Sequence, residues 1–296
     1  MEISPILLIT YTRLANFKRI INILKKVNIK SIYIYNNCPD KNSKNYYKDR
    51  LNSEQIRSLS RNIDIKCKKF FFFQDSHKQV GQSIKQSIDW FFKNEKEGII
   101  LEDDIIPRIN FFIFCTRLLS HYRNNEKIFH ISGFNHFGKI KSKYSYHFSR
   151  YTHVWGWASW RRAWKNYDYQ MKGFSNKLNL FNTDQENAYR NYLYEKTKQK
   201  KINTWDYQWD FSIRKNSGYC IRPNRNLVKN IGFNLSATNT KIDLKNLSKI
   251  KTYDIPKIYH PKKITFSDDI DFKIFKKFEY KNLILKKIYD LFKSFF

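Results

Sequence analysis

One stretch of ten residues, Gly98–Pro107, most constrains how this chain can fold. The apolar residues Ile99–Leu101 run directly into three carboxylates, Glu102, Asp103 and Asp104. A short apolar run between chain breakers is typical of a strand that is buried on both faces of a sheet. Because each buried, unpaired charge costs several kcal/mol, the carboxylates must lie where this strand leaves the sheet. In a parallel α/β sheet, that edge is where ligands bind.

The carboxylates are unusual in a chain of 296 residues that has 56 Lys and Arg, 26 Asp and Glu, and a net charge of +30. A hard divalent cation, Mg²⁺ or Mn²⁺, holding a phosphate-bearing substrate would compensate them, since these ions prefer oxygen ligands. The alternative is a loop whose acids pair with nearby Lys or Arg. The excess positive charge favours an anionic partner such as a nucleotide, a nucleic acid or an acidic membrane surface.

Strand and helix patterns alternate along the first third of the chain. Apolar runs predict strands at Ile6–Thr10, Ser31–Tyr35, Lys69–Phe73 and Ile99–Leu101, and apolar residues recur at helical spacing between them. This alternation predicts an α/β fold with a Rossmann-like N-terminal half and a mostly parallel, mixed sheet flanked by helices. The strand ends should line one rim, as a crevice of the size of a nucleotide.

The rest of the chain has weaker patterns. Residues 108–122 and 205–213 are predicted to be amphipathic helices, 184–200 a charged and solvated helix, and the Trp-rich segment 153–164 a turn that continues into a helix. The second helix of the N-terminal half should have Tyr47, Leu51 and Ile56 as its inner side. Residues 230–241 suit a mobile loop, and 267–271 a solvated linker.

No stretch of eighteen uncharged apolar residues occurs, so we expect no transmembrane helix. The N-terminus lacks the basic region of a signal peptide, and the four cysteines form no CxxC pair, which favours a reducing cytoplasm and argues against a zinc site. Residues 280–296 predict a basic amphipathic helix that either lies on an anionic membrane surface or docks on the body of the protein.

Five stretches, taken in order, resemble the nucleotide-sugar glycosyltransferases typified by N-acetylglucosaminyltransferase I, which have the GT-A fold, and their bacterial relatives. They are Thr12-Arg13, Gly98–Pro107, Val154–Trp160, Thr204–Trp209, and Arg222–Asn224 with Asn230–Phe233. They resemble the family's first-strand arginine motif, its donor-metal motif, its acceptor-side turn, its catalytic-base segment, and the strand and loop that close over the donor. The departures are that the first Gly of the acceptor-side turn is Val154 or Trp155 here, and that the second aspartate of the base segment is Tyr207.

The resemblance implies one GT-A-like catalytic domain over residues 1–265, in which 1–107 bind the nucleotide sugar and 108–265 bind the acceptor, with a linker and helix at 266–296. It implies Mn²⁺ or Mg²⁺ on Asp104 and donor contacts from Glu102 and Asp103, with Asp103 at the ribose hydroxyls. Asn37 falls where the family has the aspartate that reads uracil. Further residues are predicted to contact the two substrates: Thr10, Arg13 and His77 the donor, and Trp155 and Trp157 the acceptor.

A carboxylate must remove the proton of the acceptor hydroxyl. We predict Asp206 for this role, with its pKa raised by the apolar surfaces of Trp205 and Trp209; Asp210, one turn later, is the alternative. A structural role for Asp206 at a helix start is the other interpretation.

The sequence thus predicts a cytoplasmic, peripheral, metal-dependent glycosyltransferase. It would move a sugar from a nucleotide-diphosphate donor, a UDP-sugar, to a glycan hydroxyl with inversion, in polysaccharide or glycan assembly. The rivals are a basic metal-dependent enzyme that processes nucleic acid, and a nucleotidyltransferase. The first predicts separated carboxylates around two metals, and the second a Gly-rich phosphate loop that is not found in this sequence. We expect no nucleic acid partner.

Overall fold

A mixed sheet of eight strands forms the centre of the molecule, in a computed structural model that describes residues 1–175, 178–233 and 246–280. Its strands are β1 (Ile6–Thr10), β2 (Ser31–Asn36), β3 (Lys68–Phe73), β4 (Glu97–Glu102), β6 (Ile128–Ser132), β7 (Tyr146–Ser149), β8 (Trp157–Trp160) and β9 (Tyr219–Pro223). Their order across the sheet is β3-β2-β1-β4-β8-β6-β9-β7. The strands β5 (Ile105–Pro107) and β10 (Val228–Asn230) pair with each other in an antiparallel ribbon.

The N-terminal half is parallel, as predicted. β1 pairs in parallel with β2 on one side and with β4 on the other, and β2 pairs in parallel with β3. All residues of β1 and β2 are buried, which explains why their sequences are continuous apolar runs. Beyond β4, antiparallel pairs with β8 and β7 make the sheet mixed. The predicted α/β class, with a Rossmann-like N-terminal half, is confirmed.

Eight α-helices in the described residues flank the sheet. They are α1 (Leu14–Leu24), α2 (Tyr46–Arg61), α3 (Val80–Asn94), α4 (Ile109–His121), α5 (Arg161–Trp164), α6 (Asp184–Lys198), α7 (Asp206–Lys215) and α8 (Asp268–Ile274). A 3-10 turn covers Leu247–Lys249, and a π-helical turn, Phe275–Tyr280, continues α8. Two large apolar clusters fill the space between the sheet and the helices, one of them rich in tryptophan.

The Trp-rich segment differs from the sequence prediction. Residues Trp157–Trp160 form β8 in the middle of the sheet, and only the single turn α5 follows them as a helix. β8 is buried along its whole length and pairs with both β4 and β6. A four-residue apolar run carries no periodicity that separates a buried strand from a buried helix, which is why the prediction was wrong.

Two helices are buried differently from the prediction. In α2, Tyr47 and Leu51 are exposed, and the inner side consists of Ile56 together with small polar residues such as Ser53. In α6, predicted to be solvated, the residues that face the protein include the buried side chains of Arg190 and Tyr194. The helix begins with a capping box in which Thr183 and Glu186 satisfy each other's backbone amides.

The segment predicted to be a solvated linker packs on the body of the protein. Asp271 is buried, and its carboxylate accepts hydrogen bonds from the Ser149 hydroxyl and the Arg150 backbone amide. The next residues, Phe275 and Phe278, are buried as well. The predicted basic amphipathic helix, 280–296, lies outside the described residues except for Tyr280. Within the described ranges, no helix has the length and apolar character to cross a bilayer.

Candidate active site

The candidate site lies at the carboxyl ends of β1 and β4. The strand order reverses at β1, because β2 and β3 follow on one side and β4 lies on the other. In doubly wound sheets, ligands bind in the crevice outside such a reversal. The chain that leaves β1 carries Arg13, and the chain that leaves β4 carries Asp103 and Asp104. The sheet therefore places a guanidinium against two carboxylates at this position.

Arg13 contacts both carboxylates at once. Its Nη1 donates a 2.9 Å hydrogen bond to Oδ2 of Asp104, and its Nη2 lies 2.7 Å from Oδ1 of Asp103. The other oxygen of Asp103 accepts a 3.2 Å hydrogen bond from the Tyr11 backbone amide. The Asp103 side chain is 1% exposed and that of Asp104 is 16% exposed. Asp103 is therefore held inside the protein, whereas Asp104 keeps a surface for a ligand.

Arg13 does not neutralise the cluster. Burial and the charge of Asp104 raise the pKa of Glu102 to about 8, although Arg13 opposes this shift. Burial also raises the pKa of Asp103 to about 6, again against the effect of Arg13. Burial is the largest cause of both pKa shifts, and repulsion between adjacent carboxylates adds to it. The cluster thus has room for a further positive charge.

A second chain segment closes on Asp104. The Ile231 backbone amide donates a 2.9 Å hydrogen bond to the Asp104 carbonyl oxygen. Gly232 lies so close to Asp104 that a Cβ at position 232 would overlap its carboxylate oxygen Oδ2. The Gly232 amide is in turn fixed by a 2.6 Å hydrogen bond to Oδ1 of Asn230, at the end of β10. The described part of the predicted loop thus forms one wall of the site; residues 234–241 of that loop lie outside the described residues.

Tryptophan packing connects the segment that carries Asp206 to β4. Trp157 lies opposite Ile100 of β4, and its indole stacks on that of Trp205 with centroids 5.8 Å apart. Asp206 follows directly as the first residue of α7, where its Oδ1 accepts hydrogen bonds from the Thr204 hydroxyl and the Tyr207 amide. The negative charge of Asp206 contributes to the raised pKa of Glu102. Burial raises the pKa of Asp206 itself.

The alternative aspartate, Asp210, belongs to a buried structural network. It is 2% exposed and accepts hydrogen bonds from the hydroxyls of Tyr194 and Thr152. Its Oδ2 also lies 3.5 Å from Nη1 of Arg190, which pairs with Glu279 at 2.7 Å. Asp210 therefore links α6, α7 and the π-helical turn, and of the two aspartates it is Asp206 whose charge affects Glu102.

Three predicted donor residues lie along the same rim, and two of them are buried side chains that are already hydrogen-bonded. Thr10 is buried, donates to the Tyr35 carbonyl and accepts from Asn36. The Asn37 amide is locked in a pair of hydrogen bonds with the backbone of Lys78, at 2.8 and 3.1 Å. A donor contact from either side chain stays a prediction that would require these bonds to be exchanged.

His77 is the exposed member of the three. Its Nδ1 lies 2.9 Å from the Cys38 carbonyl oxygen, and its ring is 6.2 Å from the ring of Tyr11. Tyr11 follows β1, and its hydroxyl accepts a 3.1 Å hydrogen bond from the Asp40 amide. Tyr11 is connected to the carboxylate cluster through its backbone amide, which donates to Asp103.

The two predicted acceptor tryptophans have different surroundings. Trp157 is 1% exposed and lies between the rings of His130 and Trp205, so its predicted stacking on a sugar is corrected: it is a core residue. Trp155 precedes β8, and Gly156 between the two tryptophans has a positive φ of 57°, so the backbone turns there and the two side chains have different surroundings. Trp155 is partly exposed, and its ring makes an edge contact with Phe233 at 5.4 Å.

A polar network that the sequence analysis missed supports the rim. Asn36 donates to the Tyr11 carbonyl and accepts from Ser53 and from Nε of Arg57, both on α2. Arg57 also donates to the Gln74 carbonyl at the end of β3. Ser53 and Arg57 are four residues apart on α2, which was the available signal, because this spacing places both on one helical face.

The residues present fit an ion that is held by one protein carboxylate. Excess negative charge and the exposed part of Asp104 favour a cation, and Mg²⁺-like ions take most of their ligands from water and substrate phosphates. Arg13 already pairs with Oδ2 of Asp104, as the alternative interpretation of the acidic run predicted. Within the described residues, no group of three or more His, Cys, Asp or Glu is arranged to hold a metal ion.

Comparison with known proteins yields distant structural likenesses. A putative glucose-1-phosphate thymidylyltransferase from Bacillus anthracis, in complex with sucrose, is 8% identical, with 87% of this chain and 98% of that chain covered at a TM-score of 0.40. An apo UDP-glucose pyrophosphorylase is 8% identical, with 77% of this chain and 93% of that chain covered at a TM-score of 0.36. The apo form of mouse xyloside xylosyltransferase 1 is 10% identical, with 72% of this chain and 81% of that chain covered at a TM-score of 0.35. Identities and TM-scores this low do not assign an activity to this chain. No protein-family model and no curated protein matches it.

Proposed function

We propose that this protein is a metal-dependent glycosyltransferase. It moves a sugar from a nucleotide-diphosphate donor, a UDP-sugar, to a hydroxyl of a glycan, with inversion at the anomeric carbon. Its location is the cytoplasm, in the assembly of a polysaccharide or glycan, and residues 280–296 are a candidate membrane contact. The proposal combines the resemblance of five sequence stretches with the geometry at the carboxyl ends of β1 and β4.

The observation that carries the proposal is the contact of Arg13 with both Asp103 and Asp104 at the strand-order reversal. A nucleoside diphosphate is anionic, and this cluster of acids would repel it without a bridging cation. Bound at Asp104, Mn²⁺ or Mg²⁺ would supply Lewis-acid stabilisation of the leaving diphosphate. Arg13 keeps the two aspartates in place, and Glu102 is the proposed contact to the nucleoside. A ribose contact of Asp103 would require its bonds to Arg13 and to the Tyr11 amide to be exchanged.

Asp206 supports transfer to a hydroxyl acceptor. It lies at the start of α7, close enough to the cluster for its charge to affect Glu102, and its raised pKa makes it a better proton acceptor than an ordinary aspartate. The apolar surfaces of Trp205 and Trp209 exclude water on its side of the site. A base on the face opposite the leaving group directs a single displacement, which inverts the anomeric centre.

A panel of donors tests the proposal. The purified chain is incubated with Mn²⁺ and each common nucleotide sugar, and both thermal stabilisation and release of the nucleoside diphosphate are measured. At least one UDP-sugar should stabilise the protein in the presence of Mn²⁺, and the chelator EDTA should abolish the effect. Asp104→Asn should lose the metal-dependent stabilisation, whereas Asp206→Asn should keep it and lose turnover.

The same panel separates the rivals. A nucleotidyltransferase would release pyrophosphate from a nucleoside triphosphate and a sugar phosphate, and it would not need a glycan acceptor. If the protein makes pyrophosphate under these conditions and binds no nucleotide sugar more tightly than a triphosphate, the glycosyltransferase proposal is wrong. Metal-dependent cleavage of DNA or RNA, lost in Asp104→Asn, would favour the nucleic-acid enzyme.

A further inference from the structure

Two lysine-rich segments run side by side along one edge of the molecule. Residues 139–145 lead into β7, the last strand of the sheet, and residues 246–263 pass beside them. We define the basic face by their lysines, which are all exposed: Lys139, Lys141, Lys143, Lys249, Lys251, Lys257, Lys262 and Lys263.

Backbone contacts hold the two segments together at both ends. Gly138 packs against Ile250 and lies near the Lys251 carbonyl oxygen. Farther along, the Ser145 amide donates a 2.9 Å hydrogen bond to the Tyr259 carbonyl, and the Ser145 hydroxyl donates a 3.1 Å bond to the Lys257 carbonyl. The lysines of the two segments therefore form one surface, because their backbones are fixed in parallel.

Acidic residues are almost absent from this face. In 139–145 and 246–263 the only acid is Asp254, which forms a bidentate pair with Arg108 at its own site. The opposite edge of the sheet is also rich in lysine, but there Asp49, Glu54 and Asp64 are interspersed with the cations. The high overall charge of the chain thus does not by itself account for a surface of one sign.

Two tyrosines accompany the lysines, Tyr259 exposed and Tyr144 partly exposed. Tyr259 is 53% exposed, and the Lys257 ammonium lies 5.3 Å from its ring centroid. Lys143 contacts Tyr144 in the same way, also at 5.3 Å. Tyrosine prefers the boundary between water and lipid, where its ring is buried and its hydroxyl is hydrated, and lysine beside it contacts lipid phosphates.

The basic face adjoins the rim of the candidate site. Tyr253 donates its backbone amide to Asn226, which precedes β10, and β10 leads to the residues that close on Asp104. Lys139 forms an isolated bridge with Arg225 directly after β9, whose carboxyl end lies at the same edge of the sheet as that of β4. A surface bound here would lie beside the entrance to the site.

From these observations we infer that the basic face binds an anionic lipid bilayer. Such a membrane has negative headgroups at the density that clustered lysines bind, and an interface that accepts tyrosine rings. The inference concerns a surface of the described body and is separate from any contact through residues 280–296. It does not depend on the reaction that the protein catalyses.

Co-sedimentation of the full chain with vesicles tests the inference. Vesicles of phosphatidylcholine with 30% phosphatidylserine are compared with vesicles of phosphatidylcholine alone, at 50 and 300 mM NaCl. The variant K139E/K141E/K251E/K257E should partition at least tenfold more weakly than the wild type on the anionic vesicles. Binding to the neutral vesicles should be weak for both proteins.

A charge-matched variant is the control. K44E/K48E/K66E/K68E changes the net charge by the same amount, also at exposed lysines, but in and just before α2 and β3 at the opposite edge of the sheet. It should keep most of the vesicle binding. Residues 280–296 are intact in both variants, so equal losses of binding in the two would overturn the inference. It would also be overturned if substitution of the four lysines of the basic face left vesicle binding at the wild-type level. Tighter binding of the basic face to DNA than to the anionic vesicles would overturn the assignment to lipid.

Discussion

Gly232 lies directly against the carboxylate of Asp104, with no space for a side chain between them. The contact follows from the hydrogen bond between the Ile231 amide and the Asp104 carbonyl, which brings the chain after β10 across the end of β4. The carboxylate that we assign to the metal is thus positioned from two sides, by Arg13 and by a glycine.

Gly232→Ala should displace the Asp104 carboxylate, because the new methyl group would occupy the space of Oδ2. We expect at least a tenfold loss of metal-dependent donor binding, which is about 1.4 kcal/mol, measured by titration with Mn²⁺ and the donor that the panel identifies. Gly173→Ala is the matched control, since its methyl group would meet only the flexible end of Lys215. Unchanged donor binding in Gly232→Ala would show that the position of Asp104 does not matter.

Arg13→Met should destabilise the protein, because it leaves the buried Asp103 without its ionic partner. Removal of one partner of a buried ion pair costs about 3–5 kcal/mol. Urea unfolding followed by circular dichroism measures the loss. The double variant R13M/D103N should recover a large part of it, since the uncompensated charge is then gone. An equal loss in the single and the double variant would mean that the Arg13 side chain contributes through packing alone.

The position of the acidic cluster was predictable, because three charges after a buried apolar run can lie only at a strand end. The partner of the cluster was partly predictable, since Arg13 follows the neighbouring strand in the β1–β4 pairing. Asp271 was not predictable: its segment reads as polar, and it is buried because Ser149 and the Arg150 amide satisfy its carboxylate. Hydrogen bonds between residues more than a hundred positions apart leave no local pattern in a sequence.

The same limit applies to tryptophan. Trp157 and Trp160 read as an aromatic turn and helix, yet they form a central strand. Its two neighbours, β4 and β6, precede it in the chain by long and different separations, so only the assembled sheet determines that a strand is needed there. Tertiary context then decides the conformation of a short apolar segment that has no clear period.

Asp206→Asn should mainly affect catalysis, whereas Asp210→Asn should mainly affect stability. Asp206 has no ion pair among those found in the described residues, so its isosteric variant should change the free energy of unfolding by less than about 1 kcal/mol while it abolishes transfer. Asp210→Asn removes the charge beside the buried Arg190 and should cost about 3 kcal/mol. Urea unfolding and turnover are measured on both variants. If Asp206→Asn retains full turnover, Asp206 is not the base, and the structural interpretation of this residue is correct.

His147 should make the protein sensitive to acid. It lies in β7, where it pairs with Arg222 of β9, and its Nδ1 lies 2.6 Å from Oδ1 of Asn224. Burial together with the charge of Arg222 lowers its pKa to about 4. The unfolded chain binds a proton at this residue below pH about 6.5, whereas the folded protein does not until pH about 4. Stability from this group is therefore lost as the pH falls through that interval, by about 1.4 kcal/mol per pH unit.

His147→Asn keeps a donor for Asn224 but does not titrate, so its stability relative to the wild type should rise by about 3 kcal/mol between pH 7 and pH 4. The comparison uses urea unfolding of both proteins at each pH, so the contributions of other titrating groups, including the buried His130, cancel in the difference. A difference that stays constant over this range would mean that the pKa of His147 is the same in the folded and unfolded states.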